Sequence, residues 1–150
     1  MTSKQAVDDF LAQKTIALVG LSRSGTKFSR QAYKELKAKG YTLLPVNPST
    51  DTIDGERCYH NLAEIPSPPD AALIMTPSSA TESAVRDAID AGIRRVWIQQ
   101  GSESEAATKL CHDNDLVAVE GECVMMFAEP AAFHHRLHRF VWKLLGKLPQ

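Results

Sequence analysis

A glycine that closes an apolar run is followed by a segment, 20–29, rich in hydroxyl and cationic side chains. Gly20 allows a tight turn and a close backbone approach. Ser22, Ser24, Thr26 and Ser29 offer hydroxyl donors, and Arg23 and Lys27 offer positive charge. A helix starting directly after this segment would aim its free amides and its dipole at the same place. Those are the needs of a phosphate or pyrophosphate site. The competing reading is an ordinary strand-to-helix loop whose Gly and Ser merely make the turn. The segment is not G-x-G-x-x-G, because its glycines are Gly20 and Gly25 alone, and it is not a Walker loop.

Other reactive residues carry weaker signals. Cys58, Cys111 and Cys123 form no CxxC pair, and an odd, sparse count argues against a disulfide scaffold. Cys123 is the candidate for thiol chemistry, since it follows the last expected strand; the alternative is a half-buried structural cysteine. Cys111 shares a helical face with Ala107 and Leu110, as a core residue does. His134, His135 and His138 form an HHxxH string, but no carboxylate or thiol lies close in sequence, so surface histidines on a basic helix are expected and no metal site. His60 lies in a loop without an evident triad partner, and no serine sits in a G-x-S-x-G elbow. No catalytic residue is assigned.

The elements that must position these residues follow from periodicity. A short helix is expected over 3–13, capped by Thr2 or Ser3 and buried through Val7, Phe10 and Leu11. The continuous apolar run 15–20 reads as a strand buried on both faces. A helix over 29–39 stops at Gly40, and a strand over 41–46 ends at Asn47-Pro48. Residues 49–69 read as loop with a helical turn near 61–64. Strands are expected over 71–75, 95–99 and 116–119. Between them lie helices opened by capping-box spacings, Ser79 with Glu82 and Ser102 with Glu105. This alternation predicts an α/β fold: a single Rossmann-like open parallel sheet of about five strands with helices on both faces. Ligands of such sheets bind at the carboxyl ends of the strands, which is where segment 20–29 falls. A dinucleotide site usually has Asp or Glu at the end of the second strand; here Val46-Asn47-Pro48 stands there, and Asn47 offers an amide to a ribose or base edge.

The chain has 150 residues, 43% of them hydrophobic and 23% charged, the size and composition of one globular domain over 1–150. A domain this long buries roughly two-thirds of its unfolded surface. The formal charge of −1 speaks against a general nucleic-acid binder. The polar amino terminus is neither a signal nor a transit peptide, so a cytoplasmic location is expected. From about 131 to 146, Phe133, Leu137, Phe140, Val141, Leu144 and Leu145 recur at helical spacing, with Arg136, Arg139, Lys143 and Lys147 opposite. Three fates fit such an amphipathic helix: docking onto its own domain, packing on a second copy or a partner protein, or lying on an anionic membrane.

Further residues carry a resemblance. They are Val19-Gly20-Leu21-Ser22, Lys27 with Ser29, Gly40-Tyr41, Pro45-Val46-Asn47-Pro48, and the run from Gly55 through Cys58-Tyr59 and Leu62 to Ile65-Pro66. Asp70, Thr76-Pro77, Val96-Trp97-Ile98-Gln99, Gly101 and Glu122-Cys123 complete it. In this order and spacing the chain resembles the small stand-alone CoA-binding proteins of the Rossmann class, which are similar to the amino-terminal domain of the succinyl-CoA synthetase alpha chain. The resemblance implies CoA or acyl-CoA as ligand. Its nucleotide would lie across the Gly20 loop and the Asn47-Pro48 strand end, flanked by Thr76-Pro77. Its pantetheine arm would run toward Gln99, Gln100 and Gly101. Arg23, Lys27 and Arg30 are the nearest cations in sequence for its phosphates. The resemblance implies a binding module without ligase chemistry of its own, because the phosphorylated histidine of the synthetase belongs to a second domain. Two alternatives stand beside it: an NAD(P)-responsive Rossmann regulator, and a CoA-binding subunit of an acyl-CoA ligase-type enzyme.

Overall fold

A computed structural model describes residues 2–22 and 27–128. Arg23, Ser24, Thr26 and the helix expected near 131–146, with its histidines, lie outside the described residues.

The central sheet contains β1 (Thr15–Val19), β2 (Thr42–Val46), β5 (Ala71–Ile74), β6 (Arg95–Gln99) and β7 (Val117–Glu122). All four of its pairings are parallel, in the order β2-β1-β5-β6-β7. After Thr15, β1 is apolar, because it lies between β2 and β5 and its central residues are covered on both faces. The helices are α1 (Lys4–Leu11), α2 (Phe28–Ala38), α3 (Ser78–Asp90) and α4 (Glu105–Asp113).

Two core layers show how the helices divide. Val7 and Phe10 of α1, with Ala32, Tyr33 and Leu36 of α2, pack with Ile16, Leu18, Leu73, Trp97 and Val119 from one face of the sheet. Ala84, Val85 and Ala88 of α3, with Ala107 and Cys111 of α4, pack with Ala17, Val46, Ala72, Ile74, Val96 and Ile98 from the other. Trp97 is fully buried, meets the Phe10 ring edge-on at 5.3 Å, and donates its indole N–H to the Glu122 carbonyl at 3.0 Å. The expected fold class is the observed one.

Several details differ from expectation. The loop over 49–69 contains a hairpin, β3 (Thr52–Ile53) and β4 (Glu56–Arg57), turned by Asp54-Gly55, both at positive φ. The Ser79–Glu82 capping box does not form: α3 starts two residues earlier, with Pro77 rather than Ser79 at the N-cap and no side-chain cap, and Glu82 pairs with Arg86 instead. The Ser102–Glu105 box does not form either. A tight turn at Gly101, closed by Ser102 N–H to the Gln99 carbonyl, delays α4 until Ser104 caps it by accepting from the Ala107 amide. β7 runs on past its expected end at 119, because a bulge at Gly121 lets the ladder continue from Glu120 to Glu122. No helix among the described residues is long and apolar enough to cross a membrane.

Candidate functional site

The chain leaves β1 to form β2 on one side and later returns to form β5 on the other side of β1. That makes the carboxyl ends of β1 and β5 a topological switch point, where the connecting loops diverge and leave a crevice. Two backbone hydrogen bonds fix the strand ends: Gly20 N–H to the Val46 carbonyl at 3.2 Å, and Met75 N–H to the Val19 carbonyl at 2.8 Å. Gly20 has φ +91°, and a Cβ there would lie 2.8 Å from the Met75 carbonyl oxygen. Only glycine fits. The close approach expected of Gly20 is made to the neighbouring strand end.

A groove of about 360 Å³ opens at this point. Gly20 and Ser22 line it from the β1 loop, Lys27, Phe28 and Ser29 from the start of α2, and Met75 from the end of β5. The segment Gln99, Gln100, Gly101 and Ser102 closes the far side. Ser29 accepts the Ser22 amide at 3.1 Å, which draws the loop onto the first turn of α2. Lys27 is the N-cap of α2, and its side chain makes no cap hydrogen bond. The first amides of α2 therefore face the groove region without an acceptor from the N-cap side chain, which suits an anion. Phe28 is exposed at 41%, an uncovered aromatic face on the groove wall.

The β6 side has a different character. Gln99 is buried and its side-chain oxygen accepts the Val124 amide at 3.1 Å. Glu103 accepts the Gly101 amide at 2.7 Å, placing a carboxylate beside this end. An anion is favoured near α2 and disfavoured near Gly101 by the same Coulomb argument.

The expected site residues thus separate. Gly20, Ser22, Lys27, Ser29, Gln100 and Gly101 come together around one groove. Leu21 is fully buried in the core, and Val46 is buried beneath the other face of the sheet. The Asn47 amide, expected to meet a ribose or base, donates to the Leu21 carbonyl at 2.7 Å and accepts the Ser49 amide at 2.7 Å. It clamps the β1 and β2 ends together. Pro48 is exposed beside it. Thr76 shares a 2.8 Å hydrogen bond with the buried Thr81 hydroxyl, which also donates to the Ser102 carbonyl at 2.6 Å. With Pro77 at the α3 cap, this ties the β5 loop to the β6 loop. Cys123 is buried in the apolar cluster with Val124, Met125 and Met126, and does not line the groove. Burial pushes the Cys111 thiol up to about 12, as a core cysteine requires.

Three features escaped the sequence reading. Arg30 is 5% exposed and pairs with Asp54 at the hairpin tip. The Asp-Gly pair was the available signal for that hairpin. Glu122 is also 5% exposed, and burial raises its carboxyl to about 7. His60 sits between Asp51 at 2.7 Å and Glu64 at 3.1 Å, partners that sequence distance concealed. A larger cavity of about 680 Å³ lies under Pro66 and Pro68 against the last turn of α3. Its charged lining is Asp87 and Asp90, which opposes an anion, so chemistry favours the smaller groove. No group of three His, Cys, Asp or Glu among the described residues is arranged to hold a metal ion.

The family model described as "CoA binding domain" matches residues 14–129, which takes in the sheet and the groove. An uncharacterized protein of Bacillus subtilis (strain 168), YneT, is 27% identical over 123 residues, covering 81% of this chain and 91% of its own length. Acetate–CoA ligase (ADP-forming) II of Archaeoglobus fulgidus is 29% identical over 103 residues, 67% of this chain but 15% of the ligase. Among solved structures, a conserved hypothetical protein from Pyrococcus furiosus superposes with a TM-score of 0.71 at 32% identity, over 74% of this chain and 96% of that one.

Proposed function

The chain belongs to the CoA-binding domain family, and from that premise we propose that it binds CoA or an acyl-CoA in the switch-point groove, as a binding module without ligase chemistry of its own. The observation that carries this reading is the groove itself, in which Ser22, Lys27, Ser29 and the uncapped start of α2 converge beside Gly20. CoA has an anionic nucleotide end and a neutral, amide-containing arm. The α2 side of the groove has the character of the first. The Gln99–Ser102 side, with the Glu103 carboxylate nearby, suits the second. The Phe28 ring and Met75 offer apolar contact between them. The Archaeoglobus ligase devotes only a small part of its length to the segment shared with this chain, so binding is the property proposed here and ligation is not. An NAD(P)-type site is less well supported, because the Asn47 amide is committed to Leu21 and Ser49.

Isothermal titration of the purified protein with CoA, and with NAD as control, tests the reading. The expected result is saturable heat with CoA and none with NAD. Heat with NAD alone, or no CoA binding by titration and thermal shift together, overturns it.

A further inference from the structure

We propose that the cavity beneath Pro66 and Pro68 is the docking site for this chain's own basic segment 133–147, with Arg136 and Arg139 meeting Asp87 and Asp90. The site lies at the opposite end of the strands from the switch-point groove, and the inference is independent of the CoA reading.

The cavity of about 680 Å³ joins apolar walls to two carboxylates. Leu62 and Ile65 line it as members of the core shared with α3. Pro66 and Pro68 are exposed there and present rings without an N–H donor. Asp87 and Asp90 line it from the last turn of α3, and both are exposed. That turn carries no base, although the negative end of the helix dipole favours a cation. The bases nearest in sequence are engaged elsewhere, Arg86 with Glu82 and Arg94 with the Asn114 carbonyl at 3.4 Å. Asp87 and Asp90 form no ion pair among the described residues. Two like charges at the negative end of a helix raise its energy, and a cation placed between them lowers it. The matching occupant has apolar bodies for the proline and leucine surface and cationic tips for the two carboxylates.

The chain supplies such an occupant at the same edge of the sheet. α2 starts at the ligand groove and ends at Lys39, its C-cap, at the amino-terminal edge of the strands. There Lys39 Nζ donates to the Ala128 carbonyl at 3.2 Å, so the chain passes beyond residue 128 at that edge. The cavity belongs to it too. Pro68 stands just ahead of β5, which begins at Ala71, and Asp90 ends α3. Eight extended residues, from Ala128 to Arg136, reach about 26 Å, more than twice the ~10–12 Å diameter of a helix. After Glu129 the sequence has no acid, while Arg136, Arg139, Lys143 and Lys147 all follow. Arg136 and Arg139 are three positions apart, the spacing of Asp87 and Asp90 on α3, with Phe133, Leu137 and Phe140 beside them for the apolar wall.

The test is limited chymotrypsin digestion of the full chain at low salt, reading by mass spectrometry the cleavage rates after Phe133, Phe140 and Trp142. Asp87→Lys with Asp90→Lys is expected to raise these rates roughly 10-fold, because cleavage follows the undocked population. Arg136→Asp with Arg139→Asp is expected to do the same. Combining all four substitutions is expected to return the rates to within about twofold of wild type, since the charges are then exchanged rather than removed. Unchanged rates in both charge-reversed pairs, or no recovery in the combined variant, overturn the proposal. Protection that fades on diluting the wild type would place a second copy's segment in the cavity and overturns docking within one chain. Should a charge-reversed pair fail to fold, Asp87→Asn with Asp90→Asn replaces it. A rise of roughly 3-fold or more is expected there, and an unchanged rate overturns the proposal.

Discussion

Gly20 shows how one residue can serve fold and site together. Its positive φ and the 2.8 Å distance from its missing Cβ to the Met75 carbonyl make it a packing residue of the switch point. A side chain there strains the backbone by roughly 1–2 kcal/mol and also pushes β5 away from β1. Gly20→Ala is therefore expected to lower folding stability by more than ~1–2 kcal/mol in urea unfolding, before any loss of ligand binding. An unchanged midpoint would show that the strand ends yield without cost. The need for Gly20 was legible in the sequence, because an apolar run ending in glycine before a polar loop has few other uses. Its neighbour was not legible. Met75 lies 55 residues further along, and only the sheet order brings it there.

At the scale of elements, periodicity located the five main strands and four described helices well, and their ends less well. The two misplaced capping boxes share a cause. Side-chain spacing alone does not say where a backbone turn ends. Pro77 starts α3 early, and the Gly101 turn starts α4 late, so Ser104 is the residue whose hydroxyl meets a helix amide. This makes a paired test. Ser104→Ala is expected to cost about 1 kcal/mol, the usual value of a lost N-cap. Ser79→Ala, at an exposed position without a cap bond, is expected to stay within about 0.5 kcal/mol of wild type. Thermal unfolding of both variants checks this, and equal losses would return the cap to Ser79. The 52–57 hairpin was missed for a different reason. Its strands are two residues each, too short for alternation to register, and α2 holds them through Tyr33 and Arg30.

For the whole molecule, the charge balance conceals opposed pH responses. Lys37 and Tyr33 hold the Glu56 carboxyl below its ordinary range, and His60 does the same for Glu64. Stability from these groups is present above the ordinary carboxylate pKa and fades as pH falls. His60 is raised by Glu64 and Asp51, so its contribution is present below about 6.5 and fades as pH rises. Glu122 acts most strongly in the other direction from the exposed carboxylates. Burial raises it to about 7, and its Oε2 is buried without a partner among the described residues. Between pH ~4.5 and 7 the folded chain holds a proton at Glu122 that the unfolded chain has lost, so stability falls across that window and stays reduced above it. The sequence hid this, because Glu-Gly-Glu after an apolar strand reads as exposed loop, whereas the Gly121 bulge keeps Glu122 inside the ladder opposite Gln99. Glu122→Gln keeps the size and removes the titration. Its stability relative to wild type is expected to improve by on the order of 1–3 kcal/mol between pH 5 and pH 8, read from urea midpoints. A difference that stays constant across that range would mean Glu122 is already charged in the folded state at pH 5, and that water reaches its carboxyl at the end of β7.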